Sequence, residues 1–298
     1  MNSDEATIPN KPLRKPEWLK IRLEHNADFG RMSGIISSKK LHTVCQEALC
    51  PNICQCWGSS RVTIMILGGI CTRGCSFCGV EPGSPVVCDT DEPERVAEAI
   101  KSIGLNEVVI TSVTRDDLPD GGSGIWAKTI SLVRKAMPKM MIEVLIPDFA
   151  GNKQAIEHVL EARPDVLGHN LETVQRLYPE LRKKADYKRS LALLKKAKQS
   201  GLITKTAIML GVGEEREEIV QLMDDARSVD CDILFIGQYL QPGKKHFPVL
   251  RYVEPSEFTE LGRIAESKGF GIVESAPLVR SSFYSKKQSE FVRQQNPG

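Results

Sequence analysis

No apolar run in the sequence approaches the ~20 residues needed to span a bilayer. The opening stretch, "MNSDEATIPNKPLRKPEW", lacks the apolar core of a secretory signal, and its early acids argue against a transit peptide. There is also no excess of one charge. Lys and Arg total 40 against 38 Asp and Glu, a formal net charge of +2. Dedicated nucleic-acid binders concentrate basic charge, so that class is disfavoured. These absences predict a cytoplasmic protein with neither membrane nor nucleic-acid partners.

What the chain does hold is cysteine, nine in 298 residues, seven of them between positions 45 and 78. In a reducing compartment such clusters are metal ligands or redox groups rather than disulfides, and an odd total fits a disulfide framework poorly. The 41% hydrophobic content fills a sizeable core in one large domain or two smaller ones.

After a polar, proline-bearing stretch to about residue 40, an alternating rhythm sets in. Short apolar, β-branched runs at 61–67, 107–112, 140–146, 165–170, 203–210 and 232–239 read as strands, with a last short one at 270–275. Between them, helical periodicity covers 92–104, 124–137, 152–162, 187–201, 214–229 and 255–269. Strands alternating with helices imply a parallel sheet, since parallel strands need crossover connections. Six units predict an α/β fold of the partial (β/α)6 TIM-type barrel kind, because full closure takes eight; an open doubly wound sheet is the alternative. The expected organisation is an N-terminal extension over 1–60 carrying four cysteines, the partial barrel over 61–275, and a C-terminal tail over 276–298, the two extensions covering the barrel mouth. In either topology the chemistry belongs at the carboxyl ends of the strands. Cys71 follows the first strand, the "TRDD" run 114–117 the second and Asp148 the third. His169 and Asn170 end the fourth, "GVGE" (211–214) follows the fifth, and Gln238 and Tyr239 end the sixth.

"GGICTRGCSFCGV" (68–80) presents Cys71, Cys75 and Cys78 as C-x3-C-x2-C. Zinc sites usually pair two C-x2-C knuckles, and here no fourth ligand is adjacent. Three thiolates can hold three irons of a four-iron cubane and leave one iron open. Thr72, Arg73, Gly74 and Gly79 keep the loop small, and Phe77 can shield the cluster. Upstream, Cys45, Cys50 and Cys56 are spaced C-x4-C-x5-C with Cys54 among them. This set can hold a second cubane one ligand short, or all four can hold a structural zinc.

C-x3-C-x2-C directly after a first barrel strand resembles the radical S-adenosylmethionine (SAM) superfamily, in which SAM chelates the open iron and is split to a 5′-deoxyadenosyl radical. The two cysteine sets in this order resemble the lipoyl synthase family within it. The resemblance runs from about residue 15 to 285 through "RKPEWLK", "LHTVCQEALCPNI", "ILGGICTRGCSFCGV", "VVITSVTRDDLPDGG", "IEVLIPDF", "HNLETV", "GQYLQP" and "PLVRSS". It implies two [4Fe-4S] clusters, one binding SAM through Cys71, Cys75 and Cys78. The other is an auxiliary sulfur donor on Cys45, Cys50 and Cys56. Its fourth ligand is the second serine of an R-S-S-Y sequence, which matches Ser282 here. A hard serine oxygen beside soft thiolates holds iron weakly, which suits a cluster that must come apart. The chain departs from the family at Phe283, where tyrosine is usual, at Ala276, where glycine is usual, and in the additional Cys54.

The implied reaction is insertion of two sulfur atoms at C6 and C8 of a protein-bound octanoyl-lysine. The implied partners are octanoylated lipoyl carrier domains of 2-oxoacid dehydrogenase acyltransferase subunits and the glycine cleavage H protein, with ferredoxin or flavodoxin as electron donor. Asn170, Glu172 and Glu214 are the candidate SAM contacts. Arg115, Asp116 and Asp117 either hold SAM, position the carrier or form a solvated turn. The basic run 176–190 is a solvated face or a docking surface for an acidic carrier. Cys88 and Cys231 read as small apolar fillers. Competing readings are a sulfur inserter acting on a free small molecule and a non-catalytic iron–sulfur or zinc protein.

Overall fold

The strands are short, and three of the ten described are buried along their whole length. They are β1 (His42–Thr43), β2 (Thr63–Ile66), β3 (Ile70–Cys71), β4 (Glu81–Pro82), β5 (Glu107–Ser112), β6 (Met141–Leu145), β7 (Val166–Gly168), β8 (Ile203–Leu210), β9 (Ile233–Gln238) and β10 (Ile272–Ser275). The helices are α1 (Ala27–Ser38), α2 (Val44–Glu47), α3 (Ile53–Trp57), α4 (Glu92–Ile103), α5 (Ser123–Ala136), α6 (Lys153–Glu161), α7 (Tyr178–Leu181), α8 (Tyr187–Gln199), α9 (Arg216–Ser228), α10 (Pro255–Ser267) and α11 (Lys286–Gln295). This computed structural model describes residues 13–21, 27–85, 87–283 and 285–295. The expected N-terminal extension at 1–12 and 22–26, and the expected tail at 284 and 296–298, lie outside the described residues.

Eight strands form one sheet in the order β1-β2-β5-β6-β7-β8-β9-β10. β1 pairs antiparallel with β2, and every pair from β2 onward is parallel. The expected alternation is borne out: α4, α5, α6, α8, α9 and α10 are the crossovers, and β10 is a seventh parallel strand. The sheet's two edges, β1 and β10, are not paired with each other. β3 and β4 make a separate parallel ribbon that carries Cys71.

Local chemistry explains the boundaries. α4 has Pro93 in its first turn and ends on Gly104 at φ +79°, a left-handed cap that suits glycine. Its buried Val96, Ile100 and Ile103 face the sheet. α9 begins at Arg216, two residues later than the periodicity suggests. There Glu215 and Glu218 exchange hydrogen bonds in a capping box that fixes the start.

Two helices do not follow from the sequence reading. α1 lies in the stretch read as polar extension and buries Met32 and Ile36, one helical turn apart. α11 lies in the expected tail and buries Gln288, Ser289 and Val292. Apolar periodicity finds no helix whose buried face is largely polar. The tail also divides its contacts. Arg280 and Ser282 line a central cavity, whereas α11 packs against the amino-terminal halves of β5, β6 and β8 through Ser289 and Gln288. α11 therefore closes the end of the sheet opposite the strand mouths.

Candidate active site

The first wall of the cavity is the loop after β2. Leu67 and Gly68 donate their backbone amides to the carboxylate of Glu92, at 2.6 and 3.4 Å, which turns the chain out of the strand. Thr72 then locks onto the loop after β5: its amide and hydroxyl both donate to Thr114 O, and Asp116 N donates back to its hydroxyl. Gly74 stands at φ +59° with Pro82 Cβ 3.1 Å from where a side chain would begin, so the tight return of the loop requires glycine. Arg73 is 5% exposed in its side chain and pairs with Asp116 at 2.8 Å and Asp148 at 2.5 Å. Asp148 in turn accepts from Arg189 at 2.6 Å. This chain of ions crosses the loops after β2, β5 and β6. It was not foreseen, and it accounts for Asp116 as a fixed structural partner.

Cys75 and Cys78 are half-buried, and loss of solvent pushes both thiols up, that of Cys78 to about 12, with the neighbouring cysteines adding to the effect. Thiolates in such a place need a cation, and metal binding with proton release supplies one.

Across the cavity stand Asn170 and Glu172, in the loop after β7. Asn170 donates to the Glu172 carboxylate at 2.9 Å, while its own Oδ1 is buried with no partner among the described residues. Glu172 sits at φ +67°, a strained conformation for glutamate. It is held by hydrogen bonds to Ala207 O and from Met209 N. Burial pushes its carboxyl up, opposed by Arg182 and Asn170. Glu214 is placed differently. It does not line the cavity; its carboxylate accepts from Gly211 N at 2.7 Å and Val212 N at 2.9 Å and so shapes the loop after β8.

The cavity has a volume of about 410 Å3. Phe77, Cys78, Asn170 and Glu172 line it, together with Cys50, Arg280 and Ser282. Behind Cys50 lies a second pocket, lined by Cys45, Cys50, Cys56, Arg280 and Ser282, with Cys54 absent from its wall. Cys54 is instead 5% exposed within α3. The segment is folded tightly: Cys50 N donates to Cys45 O, and Cys56 N to Asn52 O. Burial pushes the thiols of Cys45, Cys50 and Cys56 up, that of Cys56 to about 12. Among the described residues no three His, Cys, Asp or Glu side chains converge on one metal-ion point. A cubane asks instead for separated thiolates, one per iron.

Arg280 stands between the two pockets. Its Nη1 donates to Val279 O at 2.7 Å, but Nη2 is buried without a partner among the described residues. A buried cation beside three cysteines fits an anionic group held there. The tail reaches this position because Gly237 on β9 has no side chain; a Cβ would lie 2.1 Å from Val279 O.

Other candidates take structural places. Arg115 is 2% exposed and pairs with Asp117 at 2.8 Å. In the basic run, Arg176 pairs with Glu218, Lys184 donates to Thr72 O, and Arg182 is buried on Asn170 O and Leu171 O. His169 lies between Ile146 O and Ser190 Oγ, at 2.8 and 2.9 Å. Cys231 is fully buried. No described helix is long and apolar enough to cross a membrane.

A parallel α/β sheet with a three-cysteine loop at the end of its first parallel strand defines a class. The radical SAM superfamily profile matches residues 65–226. The fold is shared with Streptococcus suis SuiB bound to S-adenosylmethionine (TM-score 0.58, 13% identity, covering 80% of this chain and 59% of that one). It is shared also with methylornithine synthase (TM-score 0.51, 16% identity, 92% and 90%). Within this class, curated lipoyl synthases are similar over nearly the whole chain. That of Bacillus cereus is 49% identical over 96% of this chain and 97% of its own length. That of Caldanaerobacter subterraneus subsp. tengcongensis is 52% identical over 92% and 96%. The chain belongs to the lipoyl synthase family. It is a radical SAM sulfurtransferase of lipoate biosynthesis that inserts sulfur at C6 and C8 of a protein-bound octanoyl chain, with SAM and [4Fe-4S] clusters as its cofactors and lipoyl domains in general as its substrates.

Proposed function

We propose that Cys71, Cys75 and Cys78 hold the SAM-binding cluster, and that Cys45, Cys50, Cys56 and Ser282 hold the auxiliary one. When bound, the first supplies the electron that cleaves SAM and the second supplies sulfur. The observation that carries this reading is the shared cavity, lined by Cys78 and also by Cys50 and Ser282. A substrate chain threaded between them meets both.

The remaining residues bind, orient and exclude water. Asn170 offers its unpartnered Oδ1, and Glu172 its carboxylate, to the ammonium of SAM. Glu214 acts one step back, holding the Gly211–Gly213 loop beside them. Ile208, Phe235 and Leu240 supply apolar wall for an octanoyl chain. Arg280 compensates negative charge at the auxiliary site. The division into a cluster-bearing extension (1–60), a partial barrel (61–275) and a ligand-bearing tail (276–298) follows from these roles. The carriers are octanoylated domains of 2-oxoacid dehydrogenase acyltransferase subunits and the glycine cleavage H protein. Ferredoxin or flavodoxin is the reductant, and the enzyme works in the cytoplasm.

Iron and acid-labile sulfide per chain test the assignment after anaerobic reconstitution. About eight irons in the wild type, falling to about four in Cys71/Cys75/Cys78→Ala and to about four in Cys45/Cys50/Cys56→Ala, is the expected result. About four in the wild type, unchanged when the upstream cysteines are removed, removes the second site.

A further inference from the structure

Ser282 makes no hydrogen bond among the described residues, and the turn that carries it is closed only by Phe283 N on Arg280 O at 2.8 Å. The turn is strung between two anchors. Upstream, Asn52 Nδ2 donates to Leu278 O at 2.8 Å. Downstream, α11 packs Val292 and Phe291 into an apolar cluster, and polar contacts hold it and the residue before it at three points. Ser285 Oγ donates to Glu274 at 2.5 Å, Gln288 Nε2 to Glu143 at 2.5 Å, and Ser289 Oγ to Glu107 at 2.7 Å. Lys205 Nζ completes the set, donating to Gln288 Oε1 and to Glu143 Oε1, each at 2.8 Å. Lys205, Glu143 and Gln288 are 2%, 3% and 4% exposed.

Such a network is a poor way to gain stability, because burying an ion pair costs desolvation that a well-packed apolar contact avoids. Its distinctive property is direction. Gln288 is gripped at both ends of its amide, Oε1 by Lys205 and Nε2 by Glu143, so α11 can neither rotate nor slide by a residue without losing both bonds. The same residues, Glu107, Glu143 and Gln288, line the pocket of Cys45, Cys50 and Cys56. We propose that Gln288, clamped between Lys205 and Glu143, is a positioning residue for Ser282. By fixing the register of α11 it sets the short tether that holds the serine oxygen over the auxiliary cysteines. This rests on the reading of Ser282 as a ligand.

The test uses the full chain with Cys71, Cys75 and Cys78 replaced by Ala, so that all cluster iron belongs to the auxiliary site. Iron release to a ferrous chelator is followed in this background, in Gln288→Leu, in Ser282→Ala, and in Gln288→Leu combined with Ser282→Cys. Amide exchange across 285–295 is measured on the metal-free chain. Gln288→Leu is expected to release iron about tenfold faster and to exchange 285–295 about tenfold faster. Ser282→Cys, a stronger ligand less dependent on its tether, is expected to abolish the iron effect and leave the exchange effect. Release unchanged by Gln288→Leu but accelerated by Ser282→Ala overturns the positioning role alone. Acceleration that persists with Ser282→Cys also overturns it, since general loosening then suffices. Release unchanged by Ser282→Ala overturns the ligand reading itself. Should Gln288→Leu fail to melt cooperatively, Ser289→Ala tests the same register with a smaller change.

Discussion

The side-chain amide of Asn52 donates to the carbonyl of Leu278 at 2.8 Å, joining residues 226 positions apart. Asn52 lies two residues after Cys50 and is the N-cap of the helix that bears Cys56. Leu278 lies four residues before Ser282. One hydrogen bond therefore ties the upstream cysteine segment to the tail that brings the serine. Asn52 is 3% exposed and its bond to Leu278 O is partly buried, so losing that bond in Asn52→Ala costs about 0.5–1.5 kcal/mol. Urea unfolding of the metal-free chain measures the loss. Reconstituted iron is expected to fall below about eight per chain, towards about four. A variant with full stability and full iron would show that the tie is idle.

Lys205 and Glu143 form a buried pair at 2.8 Å, with the Lys205 ammonium 4.0 Å from the centre of the Phe235 ring. Breaking one side leaves an uncompensated charge. Lys205→Met is expected to cost about 3–5 kcal/mol, and adding Glu143→Gln is expected to recover about 2 kcal/mol of it. Denaturation midpoints of the two variants, set against wild type, provide the comparison. Losses that simply add would mean the two side chains do not act as a pair.

Cys54 offers a sharp contrast with its neighbours. It is buried but absent from the pocket wall that Cys45, Cys50 and Cys56 share. As a small apolar filler, Cys54→Ala is expected to retain about eight irons per chain and to lose about 1 kcal/mol of stability or less. Iron falling to about four would restore Cys54 as a ligand.

The fold was legible because its strands and crossovers announce themselves by period, and all six expected units stand where the alternation put them. The cysteine loop was legible because three thiolates in eight residues admit few chemistries. What escaped were features with buried polar faces. α11 turns Gln288 and Ser289 inward, and hydrophobic periodicity is blind to that. Lys205 was visible only as a charge inside the apolar run "ITKTAIML", a signal whose partners, Glu143 and Gln288, lie 62 and 83 positions away. Glu214 was read from a glycine-rich loop as a ligand contact. In the structure its carboxylate is occupied by that loop's own amides, a local choice that spacing does not reveal.

Two groups, Asp148 of the ion chain and His169 near it, give the apo protein a defined response to acid. His169 is 2% exposed. Burial, with Arg182 and Arg73 nearby, lowers it from 6.5 to about 4, against the pull of Ile146 O and Asp148. The unfolded chain therefore binds this proton first. The stability involved is complete above pH 6.5 and is lost as pH falls towards 4, about 3 kcal/mol in all. Asp148 continues the loss. Burial raises its carboxyl, but Arg73, with His169 and Arg189, outweighs this and holds it at about 2 against an ordinary 3.8. About 2 kcal/mol then disappears between those values. Glu172 and Glu214, whose carboxyls burial pushes up, act in the opposite sense. The informative quantity is thus the difference between wild type and His169→Gln, which keeps a hydrogen-bonding side chain and removes the titration. Urea unfolding at intervals from pH 7 to 4 is expected to show the wild type losing stability relative to the variant across that range. Parallel curves would mean that His169 takes up its proton as readily in the folded chain as in the unfolded one.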